Sequence, residues 1–156
     1  MSDFFNPRHR DRTYAPDDNL GREQPDMRQT NKVSWFEMPA DDLGRASSFY
    51  SNVFGWRTPP MGTEGAYALT TAADDSGNPT EVGAINGGIH RRANEADAGP
   101  VVNISVDDID ATLERIVAAG GRIIQPRSEV EEFGLSMALF ADTEGNVLGI
   151  YTSGGA

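Results

Sequence analysis

Residues 32–56 read KVSWFEMPADDLGRASSFYSNVFGW, and a change of period inside this stretch decides the fold. Up to Met38 the pattern alternates: Val33, Trp35 and Glu37 share one face, while Ser34, Phe36 and Met38 share the other. That is the two-residue period of a strand. Beyond Pro39 the apolar positions Leu43, Ala46, Tyr50, Val53 and Phe54 recur at helical spacing. Asp41 or Asp42 stands where a side-chain oxygen accepts from a helix's first free N–H groups, and Gly55 suits the left-handed residue that ends one. A strand feeding a capped helix is predicted.

The same order returns further along. VVNISV (101–106) is another alternating stretch, and DDIDATLERIVAAGGR (107–122) is another acid-capped helical pattern ended by glycine. A shift of 66 places Asp41-Asp42-Leu43 on Asp107-Asp108-Ile109 and Gly55 on Gly121. The turns DSGN (75–78) and TEGN (143–146) match at a shift of 68, and the short apolar runs EVGAI (81–85) and VLGIY (147–151) match with Gly83 on Gly149. The strands between helix and turn are GAYALTT (65–71), with WRTPP (56–60) a shorter one before it, and RIIQP (122–126) and LSMALFAD (135–142). Repetition at near-constant spacing carries more weight than any single match. The reading is an α+β domain over 32–156, built from strand–helix–strand–strand–strand modules at 32–88 and 99–153 and joined by a polar, glycine-bearing loop over 86–100.

Residues 1–31 differ, with five arginines, six acids, three prolines and no apolar period. Composition predicts a flexible arm, against the alternative of an arm that docks Phe4, Phe5 and Tyr14 on its own domain or on another subunit. The whole chain has 156 residues, enough for one domain with a core. It lacks cysteine, which excludes disulfides, thiolate zinc sites and a cysteine nucleophile. The net charge of −11, from 24 acids against 13 bases, repels phosphate backbones and argues against nucleic acid as a partner. No apolar leader or membrane-length run is present, so a soluble, cytoplasmic protein is expected, with no membrane partner.

The stretches FEMPADDLGRASSFYSNVFGW, ISVDDIDATLERIVAAGGRIIQP and FADTEGNVLGIYTS, in this order and spacing, resemble the vicinal oxygen chelate superfamily. That superfamily includes glyoxalase I, bleomycin resistance proteins and extradiol dioxygenases, and the resemblance, to its small bacterial glyoxalase-like branch, covers residues 32–153. It implies paired βαβββ modules whose curved mixed sheets form a ligand-holding cup, and a homodimer. In metal-using members, His, Gln or Glu from the first and last strand of each module binds the ion. The matching positions here are Trp35, Gly83, Val101 and Gly149. None offers a donor that a divalent cation requires. The two histidines, His9 in the arm and His90 in the joining loop, lie off the expected cup strands. No metal and no cofactor are expected, and dioxygenase chemistry is disfavoured.

Alternation turns Glu37 inward with Trp35, and the repeat turns Asn103 inward with Val101; Glu81, Gly83, Gly149 and Tyr151 flank the same region. Trp35, Glu37, Glu81, Gly83, Val101, Asn103, Gly149 and Tyr151 are therefore the candidate ligand-binding residues. Trp35 is either a platform for a ligand or a plug in the vacated metal space. Glu37 is either a structural carboxylate or a general base whose pKa burial has raised. The paired acids at 41–42 and 107–108 are explained by helix capping, and no phosphate loop or nucleophile elbow is present. The functional expectation is a metal-free protein that binds an unidentified small molecule in the cup, similar to bleomycin resistance proteins. The alternatives are a metal-independent glyoxalase-like lyase or isomerase using Glu37 as base, and a structural or assembly role with the cup filled by its own side chains.

Overall fold

The computed structural model describes residues 31–75, 78–94 and 97–153, so all but the last residue of the arm lies outside the described residues. The opening stretch forms the expected strand and helix, with a bulge between Val33 and Trp35 that pairs Val33 with Ile104 and takes it out of the alternation. Strand β1 (Val33–Ala40) leads into helix α1 (Leu43–Phe54), whose N-cap is Asp42, accepting the Arg45 N–H at 2.8 Å. Gly55 ends the helix at φ +70°, the left-handed conformation that costs glycine least. Strands β2 (Pro60–Met61), β3 (Gly65–Ala68) and β4 (Gly87–Arg91) complete the first module. The second follows with β5 (Val101–Ser105), α2 (Ile109–Ala118), β6 (Arg122–Val130), β7 (Leu135–Ala141) and β8 (Val147–Ser153). Asp108 caps α2 as Asp42 caps α1, accepting from the Ala111 N–H at 2.9 Å. A 3-10 turn at Glu131–Phe133 joins β6 to β7.

All eight strands form one sheet in the order β2-β3-β4-β1-β5-β8-β7-β6. Each half mirrors the other: β1 is parallel to β4 as β5 is parallel to β8, and the halves meet where β1 runs antiparallel to β5. The repeated turns are also alike in detail. Asp74 accepts the Asn78 N–H and Asp142 accepts the Asn146 N–H, at 2.9 and 2.8 Å, and in each the side-chain amide of the asparagine closes on the same aspartate.

Both helices pack on one face of the sheet. Against α2 lie Val106, Ala138, Phe140 and Ile150, with Ile109 and Leu113 from the helix itself. Against α1 lie the smaller residues Ala40, Ala68 and Ile89, supported by Phe36, Met38, Leu43, Ala46, Tyr50 and Trp56. Val53 and Phe54, which the helical period placed with this core, are instead exposed. Alternation then sends Trp35, Glu37, Asn103 and Tyr151 to the opposite, concave face.

Two expectations are corrected. The last strand of module one is not EVGAI at 81–85 but GGIHR at 87–91, so the joining loop starts at Arg92 rather than 86. Asn78 and Gly88 are separated by seven more residues than their counterparts Asn146 and Gly149, and the excess forms an exposed turn with Gly83 at φ +85°. The glycine pair in NGG marks close approach, not a turn. A Cβ on Gly87 would strike the Phe36 carbonyl and ring, and one on Gly88 would lie 2.6 Å from the Glu37 carboxylate. At the end of α2, the left-handed glycine is Gly120, at φ +93°. Gly121 serves proximity, since a Cβ there would come within 2.9 Å of the Ala141 carbonyl. No helix among the described residues is long and apolar enough to cross a membrane.

Candidate functional site

The concave face holds a cavity of about 490 Å³, within the range of small-molecule sites. Both modules build it. β1 supplies Trp35 and Glu37, β3 supplies Tyr67, and β5 supplies Asn103. The second module's outer strands close the far side with Leu135, Met137 and Tyr151, and Phe133 reaches in from the 3-10 turn. Trp35 stands edge-on to Tyr67, with ring centroids 6.2 Å apart. It forms a wall of the space and does not plug it. The expectation of a cup filled by its own side chains does not describe this cavity.

The polar groups are few and differ in how they are satisfied. Tyr151 has its hydroxyl 2.9 Å from Ser34 Oγ, so its ring faces the cavity while its polar end is engaged. Glu37 receives the Trp35 indole N–H on Oε1 at 2.5 Å, and its Oε2 lies 3.4 Å from His90 Nδ1. The other imidazole nitrogen, Nε2, is 2.9 Å from Asp97 Oδ2, which also accepts the Ala93 N–H at 3.2 Å. An acid–imidazole–acid chain thus runs from the cavity wall to the loop after β4. The hydrogen bond with Glu37 is the main cause that holds the His90 pKa above its ordinary value; partial burial opposes it and Asp97 adds to it.

Asn103 is the exception. It is 4% exposed and lines the cavity, yet among the described residues its side-chain amide makes no hydrogen bond. Among the described residues no fully enclosed side-chain nitrogen or oxygen lacks a partner, so this amide is open to the cavity that it lines. Gly149 lies opposite it in the β5–β8 ladder and leaves the room that the amide occupies, since a Cβ there would overlap the Asn103 oxygen. A ligand or water in the cavity can therefore complete the amide's bonds.

Of the residues singled out in the sequence, Trp35, Glu37, Asn103 and Tyr151 come together around the cavity. Gly149 lies behind Asn103, and Val101 sits opposite Glu37 in the seam between modules. Glu81 and Gly83 do not join them, because the strand begins six residues after Glu81. The Glu81 carboxylate accepts instead from Thr71 Oγ1 at 2.8 Å, in the exposed turn. His90, read as a loop residue, is on β4 and bonded to the cavity's carboxylate. The signal that could have placed it is the ladder register: Gly88 opposes Glu37 as Gly149 opposes Asn103, two equivalent pairs. Tyr67, Leu135 and Met137 were within reach of the alternation in GAYALTT and LSMALFAD.

With this register, the four positions that match the superfamily's metal ligands become Trp35, Gly88, Val101 and Gly149. Gly88 replaces Gly83, and the set still contains no donor for a divalent cation. Glu37 and Asp97 approach His90 on opposite nitrogens, so the three cannot converge on one ion. Among the described residues no group of three or more His, Cys, Asp or Glu side chains is arranged to hold a metal. The residues at these positions do not fit the superfamily's ion.

Comparison with known proteins agrees with the architecture. A protein from Didymella fabae named as glyoxylase-like domain-containing is 31% identical over 126 residues, 80% of this chain and 95% of that protein. The anthracycline biosynthesis protein DnrV of Streptomyces peucetius is 30% identical over 129 residues, 78% of this chain, which spans only 46% of that relative's length. Among solved structures, Streptomyces coelicolor methylmalonyl-CoA epimerase in complex with 2-nitronate-propionyl-CoA superposes with a TM-score of 0.56 at 17% identity, covering 81% of this chain and 97% of the epimerase chain. At that identity the likeness is one of fold. The family model for the Glyoxalase/Bleomycin resistance protein/Dioxygenase superfamily matches residues 32–150, and the chain belongs to that superfamily.

Proposed function

We propose that this protein binds a small molecule in the cup between its two modules, without the superfamily's metal. The observation that carries the reading is Asn103: an amide with no hydrogen-bond partner among the described residues, open to an aromatic-walled cavity of about 490 Å³. A mostly apolar wall with a few convergent polar groups is what such sites need for affinity and orientation. The DnrV relative is named for anthracycline biosynthesis, which is in keeping with a small organic ligand.

The test is titration with neutral bicyclic aromatics bearing one carbonyl, coumarin among them, followed by isothermal titration calorimetry. Saturable binding is expected, weakened by about tenfold or more in Trp35→Ala and in Asn103→Leu, a factor that corresponds to roughly 1.4 kcal/mol. Circular dichroism should be unchanged, and dialysis against a chelator should leave binding intact. Binding that survives both substitutions, or that disappears with the chelator, would overturn the proposal.

A second reading is favoured by the position of Glu37. Its carboxylate faces the cavity with the His90–Asp97 pair behind it, an arrangement suited to accept a proton from a bound substrate in a lyase or isomerase reaction. Under that reading Glu37→Gln retains the neutral ligand and loses turnover; retained turnover removes Glu37 as the base.

A further inference from the structure

The charge around the cavity is one-sided. Among the described residues, none that lines it is lysine or arginine, and the formal charge on its wall is that of Glu37. The two arginines that follow His90 in the chain are engaged elsewhere. Arg91 is paired with Glu64 at 2.8 Å, and Arg92 is paired with Asp41 at 2.9 Å while donating to the Asp97 carbonyl. His90 contacts the side of Glu37 away from Trp35, and Asp97 stands on the far nitrogen of the ring. Even with His90 protonated, the two carboxylates leave this group net negative. The chain's own charge of −11 reinforces the local sign.

The rest of the wall suits a cation as well. The rings of Trp35, Tyr67, Phe133 and Tyr151 all border the same space as Glu37. Aromatic faces attract a cation through their quadrupole, most strongly where water is excluded, and a carboxylate among them adds full charge. One Glu37 oxygen is firmly held by the indole at 2.5 Å; the other has only the 3.4 Å contact with His90 and is the free side for an incoming donor. An anion entering the same space would face Glu37, and no lysine or arginine among the described residues lines the wall to meet it.

We infer that the cup selects an organic cation, an ammonium group carried on an apolar or aromatic body, and rejects carboxylates and phosphates of similar size. The ammonium sits against Glu37 within the aromatic wall, and the body of the ligand extends over Asn103 toward Leu135 and Met137. This inference rests on the proposal that the cup is the binding site.

Three probes of similar bulk separate the two statements: benzyltrimethylammonium, whose charge does not titrate, phenylacetate, and neutral 2-phenylethanol. Each is titrated into the full chain at low salt, with the Trp35 indole N–H as reporter because that proton is bonded to Glu37. The expected result is that the cation binds at least about tenfold more tightly than phenylacetate, and that Glu37→Gln removes about that factor from the cation alone. Affinity for 2-phenylethanol should not change in the variant. Equal or tighter binding of phenylacetate, or unchanged cation affinity in Glu37→Gln, overturns the inference. Binding of all three without preference leaves the cup as the site and rejects its charge selectivity. No response to any probe rejects both.

Discussion

His90 joins the cavity wall to the protein surface, and its surroundings determine how protonation affects the fold. From β1 it faces Glu37, and from its own loop Asp97, while its ladder partner on β3 is Gly65, which carries no charge. Arg92, the nearby cation, is turned to Asp41 and to the Asp97 carbonyl. Two carboxylates on one imidazole favour the charged form, and the pKa is raised above the ordinary 6.5, first through Glu37. The folded state therefore holds this proton more tightly than the unfolded chain does. The resulting stabilisation is complete below the ordinary value and is lost as pH rises through the raised one. Urea midpoints taken at about pH 5.5 and about pH 8 should show the wild type losing stability at the higher pH relative to His90→Gln, in which this proton site is absent. Parallel profiles for the two proteins would show that the contacts with Glu37 and Asp97 do not operate in solution. The ring is about one-third exposed, so the effect is a shift in profile and not a large change in stability.

Strand β4 shows how a short element can be both decisive and hard to read. Its two glycines meet different neighbours, and substitution should separate their roles. At Gly87 an added methyl would meet the Phe36 carbonyl within the β1–β4 ladder, where neither strand can move without breaking registered bonds. At Gly88 it would meet the ends of the Glu37 and Met61 side chains, which can move aside. Gly87→Ala should therefore cost stability on the scale of overpacking, about 1–3 kcal/mol or more. Gly88→Ala should cost less in denaturant but displace Glu37 and broaden or shift the Trp35 indole resonance. Equal losses in the two variants would contradict the geometry. In the sequence, NGG resembles a turn and EVGAI resembles a strand, because glycine needed for close packing looks the same as glycine needed for left-handed φ. Alternation made Trp35, Glu37, Asn103 and Tyr151 legible as one face, and the capped helices made the module order legible. His90 and Asp97 were not legible, since their role depends on a ladder register that a seven-residue excess in one module had shifted.

At the scale of the whole molecule, the cores and the site are divided differently. Each module has its own apolar cluster beneath its own helix, and no residue is shared between the two clusters. The modules meet through the β1–β5 ladder, with Trp35 opposite Asn103 and Glu37 opposite Val101. The cavity, by contrast, takes Trp35, Glu37 and Tyr67 from one module and Asn103, Met137 and Tyr151 from the other. Separated halves should then fail as sites even where they retain structure. The second module buries Ile109, Leu113, Phe140 and Ile150, whereas the first buries Ile89 and Leu69 with small alanines. Burial of large side chains contributes about 1.5–3 kcal/mol each, so residues 99–153 expressed alone should keep more secondary structure than residues 32–98. Both halves expose the open edge of a central strand, which favours pairing with a complementary edge over staying alone. The expected outcome is partial circular dichroism for the second half, little for the first, and no probe binding by either. Mixing them should restore both the Trp35 indole shift and binding, because the seam that they lack separately is the ladder that brings Asn103 beside Trp35. Binding by one half alone would mean that the cup is not shared, and would relocate the site to a single module.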